Sequence, residues 1–168
     1  MTFPLALLLI TLAPMIVEAR IASRNDRALR AGGAVEPAGD VYRVMQFAYP
    51  ACFVAMAGEG WLRSARPDAL FLAGAALFAG SKLLKYWAIG TLGPRWSFRV
   101  LVPVHSTRVT TGPYRFVNHP NYLAVTMELA AMGLMAHAPV AAAAAIAGFG
   151  RLMLARIRVE ERALGMRP

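Results

Sequence analysis

The chain of 168 residues is 58% hydrophobic and 16% charged, with a formal net charge of +9. Soluble domains run about 45–50% apolar and about 25% charged, which excludes an ordinary water-soluble domain and makes lipid the expected solvent for much of the surface. One cysteine, Cys52, excludes an intramolecular disulfide and a cysteine zinc site, and the length fits a single domain spanning residues 1–168.

Five apolar stretches are expected to form helices. The first, Thr2 to Val17, is interrupted by Pro4 and Pro14. No Lys or Arg precedes it, as the basic start of a signal peptide requires, so it reads as a retained helix. Arg24 to Asp40 follows as a loop, with Gly32, Gly33 and Pro37 as breakers. Val44 to Leu62 and Ala69 to Ile89 are the second and third helices, the latter carrying Lys82 and Lys85 in its last turns. Thr91 to Asn118 is the longest polar stretch, a suitable place for a soluble ligand's site. Tyr122 to Ala155, broken at His137-Ala138-Pro139, holds a pair of short helices rich in small residues that let backbones approach closely in lipid. The expectation is an all-α protein with about five transmembrane helices: three in residues 1–90, then the loop, helical hairpin and tail in residues 91–168.

The charges give this layout a direction. Sixteen of the eighteen basic residues fall on one side of a five-span topology; Arg63 and Arg66 fall on the other. The positive-inside rule makes the basic side cytoplasmic, with the N-terminus outside and the C-terminus inside, as in a bacterial inner membrane. The net charge is then an orientation signal, helped by attraction to anionic membrane lipid, and nucleic acid is not an expected partner.

Three features carry candidate chemistry, all toward the cytoplasmic side. In Gly112-Pro113-Tyr114-Arg115-Phe116-Val117-Asn118-His119-Pro120-Asn121-Tyr122, Asn118 or His119 can cap a helix that begins at Pro120. Capping leaves unexplained why His119, Tyr114 and Tyr122 gather there; aromatic faces can stack on a purine or attract a sulfonium. Arg156-Ile157-Arg158-Val159-Glu160-Glu161 closes the last helix. As an ion pair, Arg156 to Glu160 has the poorer orientation, and two acids near a helix C-terminus oppose the macrodipole, so a ligand is expected to compensate. Glu128 lies within the fourth helix, where a carboxylate is costly and requires a partner or a cavity; Lys82 and Lys85 are the available partners. His105 and His137 show no metal-site spacing.

Gly-x-Tyr-x-x-x-x-His-Pro-x-Tyr opening a membrane helix, a helical hairpin, then Arg-x-Arg-x-Glu-Glu-x-x-Leu resembles the isoprenylcysteine carboxyl methyltransferase family over about Leu101 to Leu164. The N-terminal half is similar in layout to a bacterial branch associated with type III polyketide synthases, whose members O-methylate alkylpyrones or alkylresorcinols. The resemblance implies S-adenosylmethionine as cofactor, lined by Ser106, Thr107, Arg108, Val109, Tyr114, His119, Pro120, Asn121, Tyr122 and Glu160. It implies a lipophilic acceptor from the bilayer, contacted by Arg156, with Glu128 as a second catalytic candidate. The family usually has arginine before His-Pro, and Asn118 stands there instead. An NADPH-dependent sterol-type reductase and a non-catalytic membrane scaffold are the rival readings.

Overall fold

The computed structural model describes residues 3–103, 109–163 and 165. Five α-helices follow one another as α1 (Phe3–Ala31), α2 (Tyr42–Leu62), α3 (Ala69–Leu92), α4 (Pro120–Met135) and α5 (Pro139–Ala163). Short 3₁₀ turns at Gly93–Arg95 and Gly112–Arg115 punctuate the long connection between α3 and α4. Among the described residues there is no strand, only a bridge in which Val35 and Val102 exchange backbone hydrogen bonds at 3.1 and 3.0 Å.

The first helix corrects one expectation. Arg24 to Ala31, read as loop, is helical, so α1 has 29 residues and rises about 44 Å. The buried positions Leu7, Thr11, Glu18, Ala22 and Asn25 keep one stripe of the helix facing inward. The far end is fixed from outside: the Asn25 side-chain amide donates to the carbonyls of Gly93 (3.2 Å) and Trp96 (2.8 Å).

At the opposite end of the bundle, side chains rather than backbone close the helix starts. Asp68 accepts from the Phe71 amide at 2.9 Å and so caps α3. That bond, against some desolvation and with His137 also contributing, holds the Asp68 carboxyl below the usual range. Glu59 accepts from the first amides of α5, Ala141 (2.6 Å) and Val140 (3.3 Å), placing a negative charge where the helix dipole favours it. His137 takes the positive φ (53°) that turns α4 into α5.

Close approach of helices rests on small residues. A Cβ at Gly74 of α3 would stand 2.9 Å from the Ala131 carbonyl oxygen and 2.7 Å from Met135 Cγ of α4. Only glycine permits that contact, which in lipid is secured by packing and not by water exclusion. Phe53 and Met56 of α2 and Leu129 and Met132 of α4 form the fully buried centre.

α1, α3 with its following turn, and α5 are each long and apolar enough to cross a membrane. Leu9, Ile10, Ile16 and Val17 of α1 and Leu72 and Leu83 of α3 are exposed, as lipid-facing positions are. α4 has 16 residues and rises about 24 Å, short of the roughly 30 Å hydrocarbon core. Among the described residues, α2 also falls outside the set of long apolar helices.

Candidate functional site

A cavity of about 940 Å³ runs between the helices toward the α3–α4 connection, near the upper end of typical ligand pockets (about 300–1,000 Å³). α1 gives it one stripe of its surface, from Leu12, Met15 and Ile16 up to Arg27 and Arg30. α2 contributes Tyr42, Met45, Gln46 and Tyr49, again three and four residues apart. The segment from Arg95 to Val102 covers one end with Asn118–Tyr122, while α5 supplies Phe149, Arg156 and Glu160. Phe149 and Arg156 are seven residues apart on one face, about 10 Å along the helix. The cavity is therefore apolar at one end, among Leu12, Met15, Ile16 and Val125, and polar at the other.

The polar end is a connected chain of side chains. Arg156 Nε donates to the Tyr122 hydroxyl at 2.8 Å, and that hydroxyl donates to Glu160 Oε2 at 3.0 Å. His119 Nε2 lies 3.3 Å from Glu161 Oε1, and Nδ1 lies 3.9 Å from Glu160 Oε2. The His119 and Tyr122 rings stand 5.5 Å apart, centroid to centroid. Burial, with the Glu160 charge nearby, pushes the Tyr114 phenol well above its ordinary value, so it stays a neutral donor. The side-chain oxygen of Asn121 is buried and has no hydrogen-bond partner among the described residues, an unusual state for a buried polar atom. On its other side Arg156 approaches Asp40, Nη1 to Oδ1 at 3.5 Å.

A second polar cluster lies deeper. Glu18 of α1 bridges Lys82 (2.7 Å) and Lys85 (3.1 Å) of α3. Glu128 of α4 bridges the same two lysines at 3.2 and 2.8 Å. The four charges alternate around a closed ring, nearly sealed from solvent. The Tyr49 hydroxyl of α2 donates to Glu128, so four helices meet there. Glu18, Lys85 and Tyr49 reach the cavity wall, while Glu128 is fully buried and outside the lining.

The expected site residues are thus distributed in three ways. Tyr114, His119, Pro120, Asn121, Tyr122, Arg156 and Glu160 come together on the wall of one cavity. Glu128 pairs with Lys82 and Lys85, the partners the sequence offered, one layer behind that wall. Val109 is partly buried and does not line the cavity, and Ser106, Thr107 and Arg108, like His105, lie outside the described residues. One local expectation changes. The α4 start is at Pro120, but His119, its N-cap residue, makes no side-chain capping bond. Arg156 engages Tyr122 and Asp40, and no Arg156–Glu160 ion pair forms among the described residues. Among the described residues no group of His, Cys, Asp and Glu could hold a metal ion.

Sequence reasoning missed Asp40, Glu18 and Tyr49. For Glu18 a signal existed: Thr11, Glu18 and Asn25 recur every seven residues and are all buried, a polar line on one face of a continuous helix. Asp40 and Tyr49 had none, because their partners lie 116 and 79 positions away.

Comparison with known proteins places this arrangement. The chain is 28% identical over 158 residues to a Bacillus subtilis (strain 168) protein described as "Uncharacterized protein YpbQ", with 94% of each chain covered. No solved structure matches. The sequence profile of the isoprenylcysteine carboxyl methyltransferase family matches residues 73–166, from α3 to the tail. With more than half of its length matched, and with helices long and apolar enough to cross a membrane, the chain belongs to that family of membrane methyltransferases.

Proposed function

We propose that this protein transfers a methyl group from S-adenosylmethionine to an oxygen of a lipophilic acceptor that enters from the bilayer. One observation carries the reading: a single cavity joins a polar, aromatic end near the α4 entrance to an apolar end among membrane helices. A water-soluble donor and a lipid-soluble acceptor need such a shared space.

The residues present fit this cofactor. Asn121 offers a buried oxygen, without a hydrogen-bond partner among the described residues, to a donor such as an amino group. Glu160 and Glu161 suit an ammonium and ribose hydroxyls, and the Tyr114 and Tyr122 rings suit a purine or a sulfonium. Tyr114, His119, Pro120, Asn121, Tyr122 and Glu160 would hold the group, with Ser106 to Val109 as further candidates from the sequence. When bound, the cofactor supplies an electrophilic methyl carried by a good leaving group.

The protein's part is then mostly placement. Arg156 would orient the acceptor oxygen and stabilise its negative charge. An acidic enol or a carboxylate is already anionic near neutral pH. A phenol must lose a proton, and Glu160 on the cavity wall is the carboxylate positioned to take it. Glu128 is assigned an indirect part, fixing the Tyr49 hydroxyl at the cavity wall. The acceptor belongs either to the hydroxyl class found on alkylpyrones and alkylresorcinols or to isoprenylcysteine-like carboxylates. Its chain would lie along the α1 and α2 stripes. The reading includes five membrane spans, the basic side in the cytoplasm and a bacterial inner membrane.

The test is calorimetric binding of S-adenosylhomocysteine to the full chain in detergent, with NADPH as control ligand. Micromolar binding that Glu160→Gln weakens at least tenfold (about 1.4 kcal/mol) is the expected result. Folded protein that ignores S-adenosylhomocysteine, or prefers NADPH, would overturn it.

A further inference from the structure

Arg156 is held from two directions, and one of its partners comes from outside the matched family region. Its side chain is 7% exposed, with Nε donating to Tyr122 and Nη1 facing Asp40. Asp40 precedes α2, in the connection from α1. Its side chain is only 2% exposed, and both carboxylate oxygens are occupied by backbone. Oδ1 accepts from the Tyr42 amide at 3.1 Å, and Oδ2 accepts from the Val100 amide at 2.9 Å. Gly39 takes a left-handed conformation (φ 89°) that disfavours other residues, and a Cβ there would stand 3.8 Å from Val159 Cγ2, so this connection lies close to α5. Asp40 therefore sits where the α1–α2 connection, the 95–102 cover and the last helix meet.

We propose that Asp40 is the positioning residue of the acceptor site: it fixes the guanidinium plane of Arg156 and leaves cofactor binding to other side chains. A carboxylate pinned by two backbone amides cannot follow a mobile arginine. The arginine must come to it, and with Nε on Tyr122 two directed contacts orient a rigid, planar fork. Among the described residues Nη2 carries no hydrogen bond, which leaves it to an acceptor. Misplacing such a group by about 1 Å can cost on the order of 10²-fold in rate. The N-terminal helices then do more than anchor the protein, because one of their residues sets the geometry of a catalytic group. What Arg156 is positioned for rests on the methyltransferase reading; that Asp40 positions it does not.

The experiment follows the Arg156 Nε–H signal in full-length protein labelled with ¹⁵N-arginine in lipid nanodiscs, identified by its loss in Arg156→Lys. Asp40→Asn keeps a side-chain oxygen for one amide and removes the charge. The expected result is Nε–H exchange at least tenfold faster (about 1.4 kcal/mol of opening free energy), with affinity for S-adenosylhomocysteine within about twofold of the parent. Unchanged exchange overturns the proposal, since Tyr122 alone then holds the arginine. Loss of cofactor affinity in parallel with faster exchange overturns it too, since Asp40 would then support the whole site. Should Asp40→Asn fail to fold, Asp40→Ser is read by the same criteria. Parent protein that does not bind S-adenosylhomocysteine sinks the proposed function, while the exchange measurement still decides whether Asp40 fixes Arg156.

Discussion

The two polar clusters of this protein sit in one bundle and share a cavity wall, yet they are built on opposite rules. In the deep ring, Glu18, Lys82, Glu128 and Lys85 alternate and close on themselves, each charge touching two of the opposite sign. Each carboxylate oxygen of Glu18 and Glu128 faces a lysine, and the cluster ties α1, α3 and α4 together with Tyr49 of α2 attached. At the α4 entrance the chain from Asp40 through Arg156 and Tyr122 to Glu160 is open. Glu160 remains about one-third exposed, and the Asn121 side chain keeps a buried oxygen without a hydrogen-bond partner among the described residues. A closed set of charges holds helices in place; an open set at a cavity wall is ready for something to complete it. Burial alone does not separate the two, since Arg156 is as buried as Lys82.

The comparison breaks most visibly at the ring. Glu128→Leu should lower stability by about 3–5 kcal/mol, because it leaves buried lysine charge uncompensated. Pairing it with Lys85→Met should recover more than half of that loss. Denaturant unfolding in detergent measures both, and a single variant within about 1 kcal/mol of the parent would show that the ring is not a clasp. At the open cluster the sign of the trade reverses. Tyr122→Phe removes the hydroxyl shared by Arg156 and Glu160, and one hydrogen bond is worth about 1 kcal/mol. It should weaken S-adenosylhomocysteine binding about fivefold while moving the unfolding midpoint little. Equal damage to stability and binding would erase the distinction drawn between the two clusters.

The smallest effect belongs to the exposed rim. Desolvation pushes the Glu36 carboxyl up, but hydrogen bonds from Arg30 and Arg99 and the charges of both arginines outweigh it and hold the carboxyl below the usual range. A lowered folded value means that its stabilising contribution is present above the ordinary glutamate pKa, about 4.3. That contribution is lost as pH falls through the lower folded value. Acidification from about pH 5 should therefore cost the parent slightly more stability than Glu36→Gln, by well under 1 kcal/mol for ion pairs this close to the surface. Parallel pH profiles would remove Glu36 from the account.

Much of this was legible in the residues because it depends on near neighbours in the chain. Apolar runs, Pro120 at the start of α4 and Pro139 at the break between the last two helices locate helices through local chemistry, and the spacing of Tyr114, His119 and Tyr122 marked the α4 entrance. The Arg156–Glu160 spacing was equally local and argued against an ion pair between them; that Arg156 turns to Tyr122 and Asp40 depends on segments far along the chain. The one serious misreading of an element, the end of α1, came from ending the helix with its apolar run at Val17 and reading Arg24 to Asp40 as loop on breakers, Gly32, Gly33 and Pro37, that all lie beyond the helix end at Ala31. Arg24, Arg27 and Arg30 are good helix formers, and the polar line Thr11, Glu18 and Asn25 was readable as a buried face.

By itself the sequence determined an all-helical membrane chain, the helix order and which short segment carries the aromatic and histidine cluster. Only the tertiary structure decided that Glu18 completes the charge of Glu128, Lys82 and Lys85, and that Asp40 reaches Arg156. A buried charge demands a partner wherever it lies, so the sequence announces the need. Which carboxylate answers depends on how helices far apart in the chain are packed, and no local pattern encodes that.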